Sequence, residues 1–489
     1  MTSAYTSVCN HSGLVVPTSG SFEDGLGRPY SFGLVSDPRI DGRFPVGAIA
    51  LAAPCGCSAA GSQRRRVEMH RTDHACRHCA APLASCVLDL GQSPVANDLI
   101  DPSVKEMRDG ETYPLKIMVC DRCRLVQTVD LIDAEDLFRD DYVYFSSEST
   151  SWLRHAEDYV RAMSERFALS AGARHVEIAS NDGYLLQYSR ALGLDTLGVE
   201  PCGSVATAAR AKGIATCQKF FSEALARELV ADGGQADLVT ANNVFAHVPD
   251  INDFASGIRE LLKPAGVATI EVQHLLRLMQ RNQFDTFYHE HFSYYSLLSA
   301  KRVFEQAGLR VFDVEELPTH GGSIRFFVCR DEADRPTSPR VASLLDEELA
   351  YGLDEDAVYL AFSQRAVALR TDLRALLGRL KDQGCRIAAY GAPAKGVTLL
   401  NYCGIGTDTI DFTVDKAASK QGKLLPGVRL PIRHPAALAV ERPDYIVILP
   451  WNLTDEIVTQ IGDSFDFDGS FITPMPTPRI LPKVTRRAA

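Results

Sequence analysis

The sequence predicts an α/β protein in three parts: a small zinc-ribbon-like N-terminal domain, a central Rossmann-like domain and a second α/β domain. Two Cys-x-x-Cys pairs, Cys76/Cys79 and Cys120/Cys123, point to the first part. An apolar run at 176–179 breaks at Ser180-Asn181-Asp182-Gly183 into a helical pattern, which points to the second. The same strand–turn–helix theme returns at 387–396 and points to the third. A chain of 489 residues is too long for one core, so several domains are expected. The expected divisions are an extension over 1–70, a zinc-binding domain over 71–144, a cofactor-binding domain over 145–333 and a C-terminal domain over 334–489.

Composition narrows the class. An apolar share of 46% and a charged share of 23% are those of a globular chain. The net charge of −11 argues against nucleic acid as the main partner, which leaves a small molecule as the expected one. No apolar run approaches the ~20 residues that span a bilayer, and no basic-then-apolar leader opens the chain. A cytoplasmic monomer without a membrane partner is therefore expected. Thirteen cysteines in such a chain suggest thiols and a metal rather than disulfides. Residues 1–63 are rich in Gly, Ser and Pro and read as an unstructured extension before Arg64-Arg65-Arg66. Met69 is a candidate start of translation.

The two cysteine pairs lie 40 residues apart and offer four thiolates, a set that suits tetrahedral Zn²⁺. Four thiolates leave no open position, so the zinc expected on Cys76, Cys79, Cys120 and Cys123 is structural. His78 inside the first pair is a competing ligand, and Cys86 a bystander. Beyond the ribbon, 141–149 holds Tyr142, Tyr144 and Ser146, Ser147 and Ser149. From residue chemistry alone it reads as a linker with its hydroxyls at the surface.

The turn after Glu177 belongs to a nucleotide-binding half-unit, whose backbone approaches a cofactor at a helix N-terminus. The next strand ends at Glu200, 23 residues after Glu177, where a carboxylate suits a ribose diol. Glycine is sparse here: 179 and 181 are Ala and Asn, and Gly183 alone fits the usual slots. A pyrophosphate cradle needs more glycine, so the pattern fits S-adenosylmethionine, which has a ribose and no phosphate. Strand–turn–helix without any ligand is the plain alternative.

Further strands follow at 237–243 and 266–272, the first running into Asn243 and His247. A histidine past a strand's carboxyl end stands where open α/β sheets place ligands. Runs at 310–315 and 323–330 predict a closing antiparallel pair, the finish of a class I methyltransferase sheet. Between the runs at 266–272 and 310–315, Tyr288-His289-Glu290-His291 gathers an imidazole, a carboxylate and a phenol, the ingredients of acid–base chemistry. Its His-x-His spacing is a weak metal signal, and a structural histidine pair is the plain alternative. His320-Gly321-Gly322 forms a second histidine loop. In the last domain Lys395 opens a helix, where it meets either a phosphate or solvent.

Together these motifs resemble one family, the zinc-containing C-methyltransferases that modify nucleotide-linked deoxysugars in antibiotic pathways. The signatures are the two cysteine pairs, Tyr142-x-Tyr144-x-Ser146-Ser147-x-Ser149, Glu177-Ile-Ala-Ser-Asn181-Asp182-Gly183, Asn243-x-x-x-His247-Val-Pro249, Tyr288-His-Glu290-His291, His320-Gly-Gly and Tyr390-Gly-Ala-x-Ala-Lys395. The likeness runs from about Cys76 to the C-terminus, and residues 1–70 have no counterpart in it. Ala179 stands where the family has Gly. The resemblance implies an S-adenosylmethionine-dependent C-methyltransferase acting on a thymidine-diphospho 4-keto-6-deoxyhexose. It implies a cofactor site at Glu177, Ala179, Asn181, Gly183, Glu200 and Asn243. It places Tyr142, His247, Tyr288, Glu290 and His291 in the active site. His291 would remove the C3 proton with Glu290 orienting its ring, and Tyr142, His247 or Tyr288 would stabilise the enolate. His247 is the second candidate base.

Two rival readings remain at this level. A nicotinamide-dependent oxidoreductase of a nucleotide sugar would want Gly-x-Gly-x-x-Gly, absent at both turns. A non-enzymatic zinc scaffold would leave the polar cluster around His291 without a purpose. A methyltransferase of another small keto substrate is a variant of the main reading.

Overall fold

The computed structural model describes residues 74–103, 111–129, 132, 137, 145–465 and 467–482. Three sheets organise them. The ribbon pairs β1 (Ser85–Ser93), β2 (Tyr113–Val119) and β3 (Val126–Thr128) in antiparallel fashion. Its fourth strand comes from far along the chain, Ser293–Tyr294 (β9 in chain order), and pairs with β3.

The central sheet is built from β4 (Arg174–Ile178), β5 (Asp195–Val199), β6 (Thr216–Cys217), β7 (Ala236–Asn242), β8 (Leu262–Gln273), β10 (Leu309–Leu317) and β11 (Ser323–Arg330). Its order is β10-β11-β8-β7-β4-β5-β6. All neighbours run parallel except β11, which is antiparallel to both β8 and β10. This is the class I methyltransferase order, and the closing pair is antiparallel as the sequence suggests. Parallel strands are covered on both faces, which is why β4 and β7 read as near-continuous apolar runs. Side-chain caps start the covering helices. Ser222 accepts from the Leu225 amide, Asp250 from Asp253, and Ser296 with Ser299 makes a capping box.

Many polar groups inside this domain satisfy one another. Tyr159 bonds Thr240 and Thr269 at 2.7 and 2.6 Å, and His175 bonds Ser189 and Thr240, both at 2.8 Å. At the carboxyl half of β8, Glu271 is fully buried and receives Arg325 at 2.7 Å and the Thr319 hydroxyl at 3.0 Å, with His155 at 3.2 Å.

The C-terminal sheet joins β12 (Ile387–Tyr390), β13 (Thr413–Val414), β14 (Ile432–Arg433), β15 (Tyr445–Ile448), β16 (Ser470–Thr473) and β17 (Arg479–Ile480) in the order β14-β13-β12-β15-β16-β17. It is parallel except for β17. The order reverses between β12 and β15, and such a crevice is where open α/β sheets take ligands. Helix Asp356–Asp382 buries a stripe of Tyr359, Phe362, Ala366, Leu369, Leu373, Leu377 and Leu380, the spacing of one helix face. That stripe belongs to one apolar cluster with Val87 and Ile117 of the ribbon, Phe284 and Phe287 of the central region, and Ile387 and Leu449 of the last sheet. The 284–291 loop therefore sits where the three sheets meet.

Candidate active site

The turn after β4 is built from alternating left-handed residues: Ala179 at φ 57°, Asn181 at 49° and Gly183 at 76°. Gly183 needs glycine twice over, because a Cβ there would also lie 2.9 Å from Ile214. Ala179 and Asn181 hold the same backbone region without that freedom. Gly198 of β5 lets Ser180 approach, since a Cβ would fall 2.3 Å from the Ser180 hydroxyl. Glu200 accepts from the Asn181 amide at 3.0 Å and the Cys202 amide at 2.9 Å, so its carboxylate fastens both sides of the turn. Burial pushes the Glu200 carboxyl above its usual range, and that of Glu177 well above. Asn243 lies at the carboxyl end of β7 with φ 53° and donates its amide to Glu271 at 2.7 Å.

Among the described residues, the Ser180 hydroxyl, Asp182 Oδ1 and Asn242 Oδ1, all buried at these strand ends, have no hydrogen-bond partner. A buried polar group left unpaired costs about 1–3 kcal/mol. A cluster of them at the carboxyl ends of β4 and β7 fits a polar ligand laid across the turn. The residues therefore fit S-adenosylmethionine.

The segment read as a surface linker instead clasps this turn. The Ser146 amide donates to Asn181 Oδ1 at 2.9 Å, and the Ser147 hydroxyl bonds Asp182 Oδ2. Lys212 reaches the same carboxylate oxygen at 2.8 Å. Ser149 caps helix Thr150–Arg166 by accepting from the Trp152 amide. The segment turns inward because the buried Asn181 and Asp182 take partners from the Ser146 amide and the Ser147 hydroxyl. Tyr142, expected in the active site, lies outside the described residues.

The second half of the site faces His247 and His291, whose ring centroids are 4.6 Å apart. His291 Nδ1 donates to the Thr286 carbonyl at 3.1 Å, and its Nε2 meets the Tyr288 hydroxyl at 2.9 Å. His247 Nδ1 donates to the Glu290 carbonyl at 2.6 Å. A carbonyl only accepts, so both rings keep their proton on Nδ1 and present Nε2 as the basic nitrogen. Burial lowers the pKa of His247 to about 4. Burial, and then the neighbouring His247, holds His291 well below its ordinary value. This differs from the expectation of an unperturbed imidazole: both rings are neutral well into the acid range.

Glu290 does not orient the His291 ring. Its Oε1 accepts from the Asn97 backbone and side chain, at 2.9 and 3.0 Å, and the carboxyl is buried with its pKa raised. The orienting group is instead the Thr286 carbonyl. Glu290 ties the loop to the ribbon, because Asn97 follows β1.

The ribbon supports the same loop from the other side. β3 pairs with β9 just past His291, and the Thr128 hydroxyl donates to the His291 carbonyl at 3.3 Å. Arg77, between the first two cysteines, donates to the Thr128 carbonyl at 3.1 Å and lies 5.3 Å from the Phe292 ring centroid. The sulfurs of Cys76, Cys79, Cys120 and Cys123 lie within 4.8 Å of one another. Each pair is followed by a left-handed residue, Ala80 at φ 57° and Arg124 at 61°, which closes the knuckle. Gln127 donates to the Cys76 sulfur at 3.2 Å, as thiolate ligands require. The donor set fits a structural zinc. His78 is not a fifth candidate: its Nδ1 is engaged by Asn252 at 2.9 Å.

Asp285 and Trp451, to which no sequence motif assigned a role, join Lys395 beside the 284–291 loop. Trp451 donates its indole N–H to Asp285 at 2.7 Å. Lys395 bonds Asn452 and stands 4.6 Å over the Trp451 ring. Burial raises the Asp285 pKa to about 6 and lowers that of Lys395 to about 8. Lys395 and Trp451 follow β12 and β15, at the sheet's switch point. The strand–turn–helix at 387–396 carried that signal for Lys395, whereas Asp285 had none.

Comparison with known proteins identifies the family. A model for a zinc binding domain matches residues 76–138, one for a methyltransferase domain matches 152–314, and one for a C-methyltransferase C-terminal domain matches 318–476. The chain is 38% identical over 407 residues to the C-methyltransferase NovU of Streptomyces niveus, covering 83% of this chain and 96% of that protein. The chain belongs to the C-methyltransferases. A ubiquinone biosynthesis O-methyltransferase of Bordetella avium is 29% identical over 155 residues, 28% of this chain and 62% of that one. A crystal structure of an S-adenosylmethionine-dependent methyltransferase from Clostridium acetobutylicum aligns over 36% of this chain and 92% of that chain, at 13% identity and a TM-score of 0.30. This C-methyltransferase uses S-adenosylmethionine and carries a zinc-binding ribbon, as its motifs suggest. No described helix is long and apolar enough to cross a membrane.

Proposed function

We propose that this C-methyltransferase methylates C3 of a nucleotide-linked 4-keto-6-deoxyhexose by way of an enolate. The observation that carries the reading is the pair of neutral histidines, His247 and His291, each with its Nδ1–H held by a backbone carbonyl. Methylation at carbon requires a carbanion equivalent, and a ketone acidifies the neighbouring C–H. Bound S-adenosylmethionine supplies an electrophilic methyl group. The chain has to remove a proton and hold the resulting negative charge. Neutral His291 takes the proton at Nε2, with the Tyr288 hydroxyl within hydrogen-bond reach of the same nitrogen. Tyr288, and His247 when protonated, can donate to the developing oxyanion. Glu177, Ala179, Asn181, Gly183, Glu200 and Asn243 line the cofactor side. Lys395, half-buried at a helix start, suits the diphosphate of a nucleotide-linked substrate.

The test is a mass-spectrometric assay of the full chain with S-adenosylmethionine and a panel of nucleotide-linked 4-keto sugars, beside simple keto acids. A methyl gained at C3 of a nucleotide sugar supports the reading. Turnover of keto acids alone would replace it with the broader class of small keto acceptors.

A further inference from the structure

His320 stands out because its backbone is strained while its ring is unengaged. It lies in the turn Thr319–Gly321 between β10 and β11 with φ 55° and ψ 18°, the left-handed region that disfavours a side-chain-bearing residue. Such a conformation persists only where the surroundings over-determine it, and these residues gather at functional sites.

Here the surroundings can be named. On one side the Thr319 hydroxyl donates to the buried Glu271 at 3.0 Å. On the other the Gly321 carbonyl accepts from Arg281 at 2.6 Å and from Gln283 at 2.9 Å. Gly321 is packed against Trp451, where a Cβ would lie 2.7 Å from the indole ring. The chain thus holds His320 in place through both neighbours, yet among the described residues no hydrogen bond reaches either ring nitrogen. The ring is exposed. Its one packing partner among the described aromatic rings is Trp152, edge to face at 5.4 Å.

The location joins the two halves of the site. Trp152 stacks at 6.0 Å on Tyr184, the residue after Gly183 in the cofactor turn. In the other direction His320 is close enough to Lys395 and His291 for their charges to act on one another. The ring thus stands between the cofactor turn, through Trp152, and the side of Lys395 and His291.

We infer that His320 is a substrate-contacting residue of the methyl-transfer cleft, whose imidazole hydrogen-bonds an oxygen of the acceptor. The inference rests on the keto-sugar reading above and adds a residue to which that reading gave no role. The strain supplies a discriminating test. His320→Gly and His320→Asn relax the left-handed backbone, so a functional ring gives up turnover while the fold is unharmed.

The expected result has four parts, each measured on the full chain with a thymidine-diphospho 4-keto-6-deoxyhexose as acceptor. The melting temperature of His320→Gly stays level or rises. Its calorimetric Kd for S-adenosylmethionine stays within about twofold. Its kcat/KM for the sugar falls about tenfold or more, as expected when a substrate hydrogen bond is lost. Added imidazole restores part of the turnover. Wild-type kcat/KM in His320→Gly would overturn the inference, as would a lowered melting temperature without imidazole rescue. If the wild-type chain methylates no nucleotide sugar, the substrate reading fails. His320→Gly is then assayed on the keto acceptor that the wild type does methylate: a fall in kcat/KM of about tenfold or more retains the inference, and wild-type kcat/KM overturns it.

Discussion

Each left-handed residue in the cofactor turn makes a separate demand. Gly183 is required by both backbone and space, but Ala179 meets only the backbone demand and does so at a steric penalty. Ala179→Gly should therefore raise stability by about 1 kcal/mol, with cofactor affinity unchanged. Chemical denaturation and calorimetry check the two halves of that statement. Glu200 is different, because its carboxylate both fastens the turn and faces the expected ribose. Glu200→Ala should weaken S-adenosylmethionine binding about tenfold or more and also lower stability, since the Asn181 and Cys202 amides lose their acceptor. An unchanged Kd would count against the ribose contact.

His175 gives a pH prediction with a definite sign. Burial lowers its folded pKa to about 3, below the ordinary histidine value. The unfolded chain binds this proton more tightly, so His175 favours folding near neutrality, and that contribution fades as pH falls from about 6.5 towards 3. The stability gap between the wild type and His175→Gln should shrink steadily from pH 7 to pH 4.5. A gap that widens on acidification would show that the ring is charged in the fold.

At this scale the sequence was informative where chemistry is local. Four cysteines at knuckle spacing and the Ser180–Gly183 turn carry their meaning in neighbouring letters. Glu290 does not: its acceptor role towards Asn97 spans 193 positions, and the adjacent His291 was the misleading neighbour. Ser147 and Lys212 meet on Asp182 for the same reason, through contacts that no periodicity records.

Among the elements, the ribbon matters most for the chemistry. It reaches the base loop through the β3–β9 ladder, the Thr128 hydroxyl and Arg77. Zinc at the four sulfurs is thereby a support for His291 as well as for its own domain. Cys76→Ser, or zinc removal by a chelator, should lower the melting temperature and reduce turnover together. Cofactor affinity should change less, because Glu200 and the turn belong to another sheet. Loss of zinc without any effect on turnover would separate ribbon from loop. The two-residue strand Ser293–Tyr294 that makes this link was invisible in the sequence, since two residues show no alternation. The long strands β4, β7 and β8 were legible because their buried runs are continuous.

At the scale of the whole molecule, one apolar cluster joins the ribbon, the 284–291 loop and the last sheet, and the switch point of that sheet brings Lys395 and Trp451 to Asp285 of that loop. The three-part plan was readable from cysteine pairs and repeated turns. The convergence of the parts on one cleft was not, because it depends on which faces pack. The central claim is that this cleft removes a proton from carbon before the methyl moves, and that His291 does so. Solvent deuterium exchange at the acceptor carbon isolates that step from methyl transfer. For His291→Asn the account predicts loss of exchange and of methyl transfer by about 10²–10⁴-fold, with S-adenosylmethionine still bound. Wild-type exchange in His291→Asn, with exchange abolished in His247→Asn, would contradict it and transfer the base to His247.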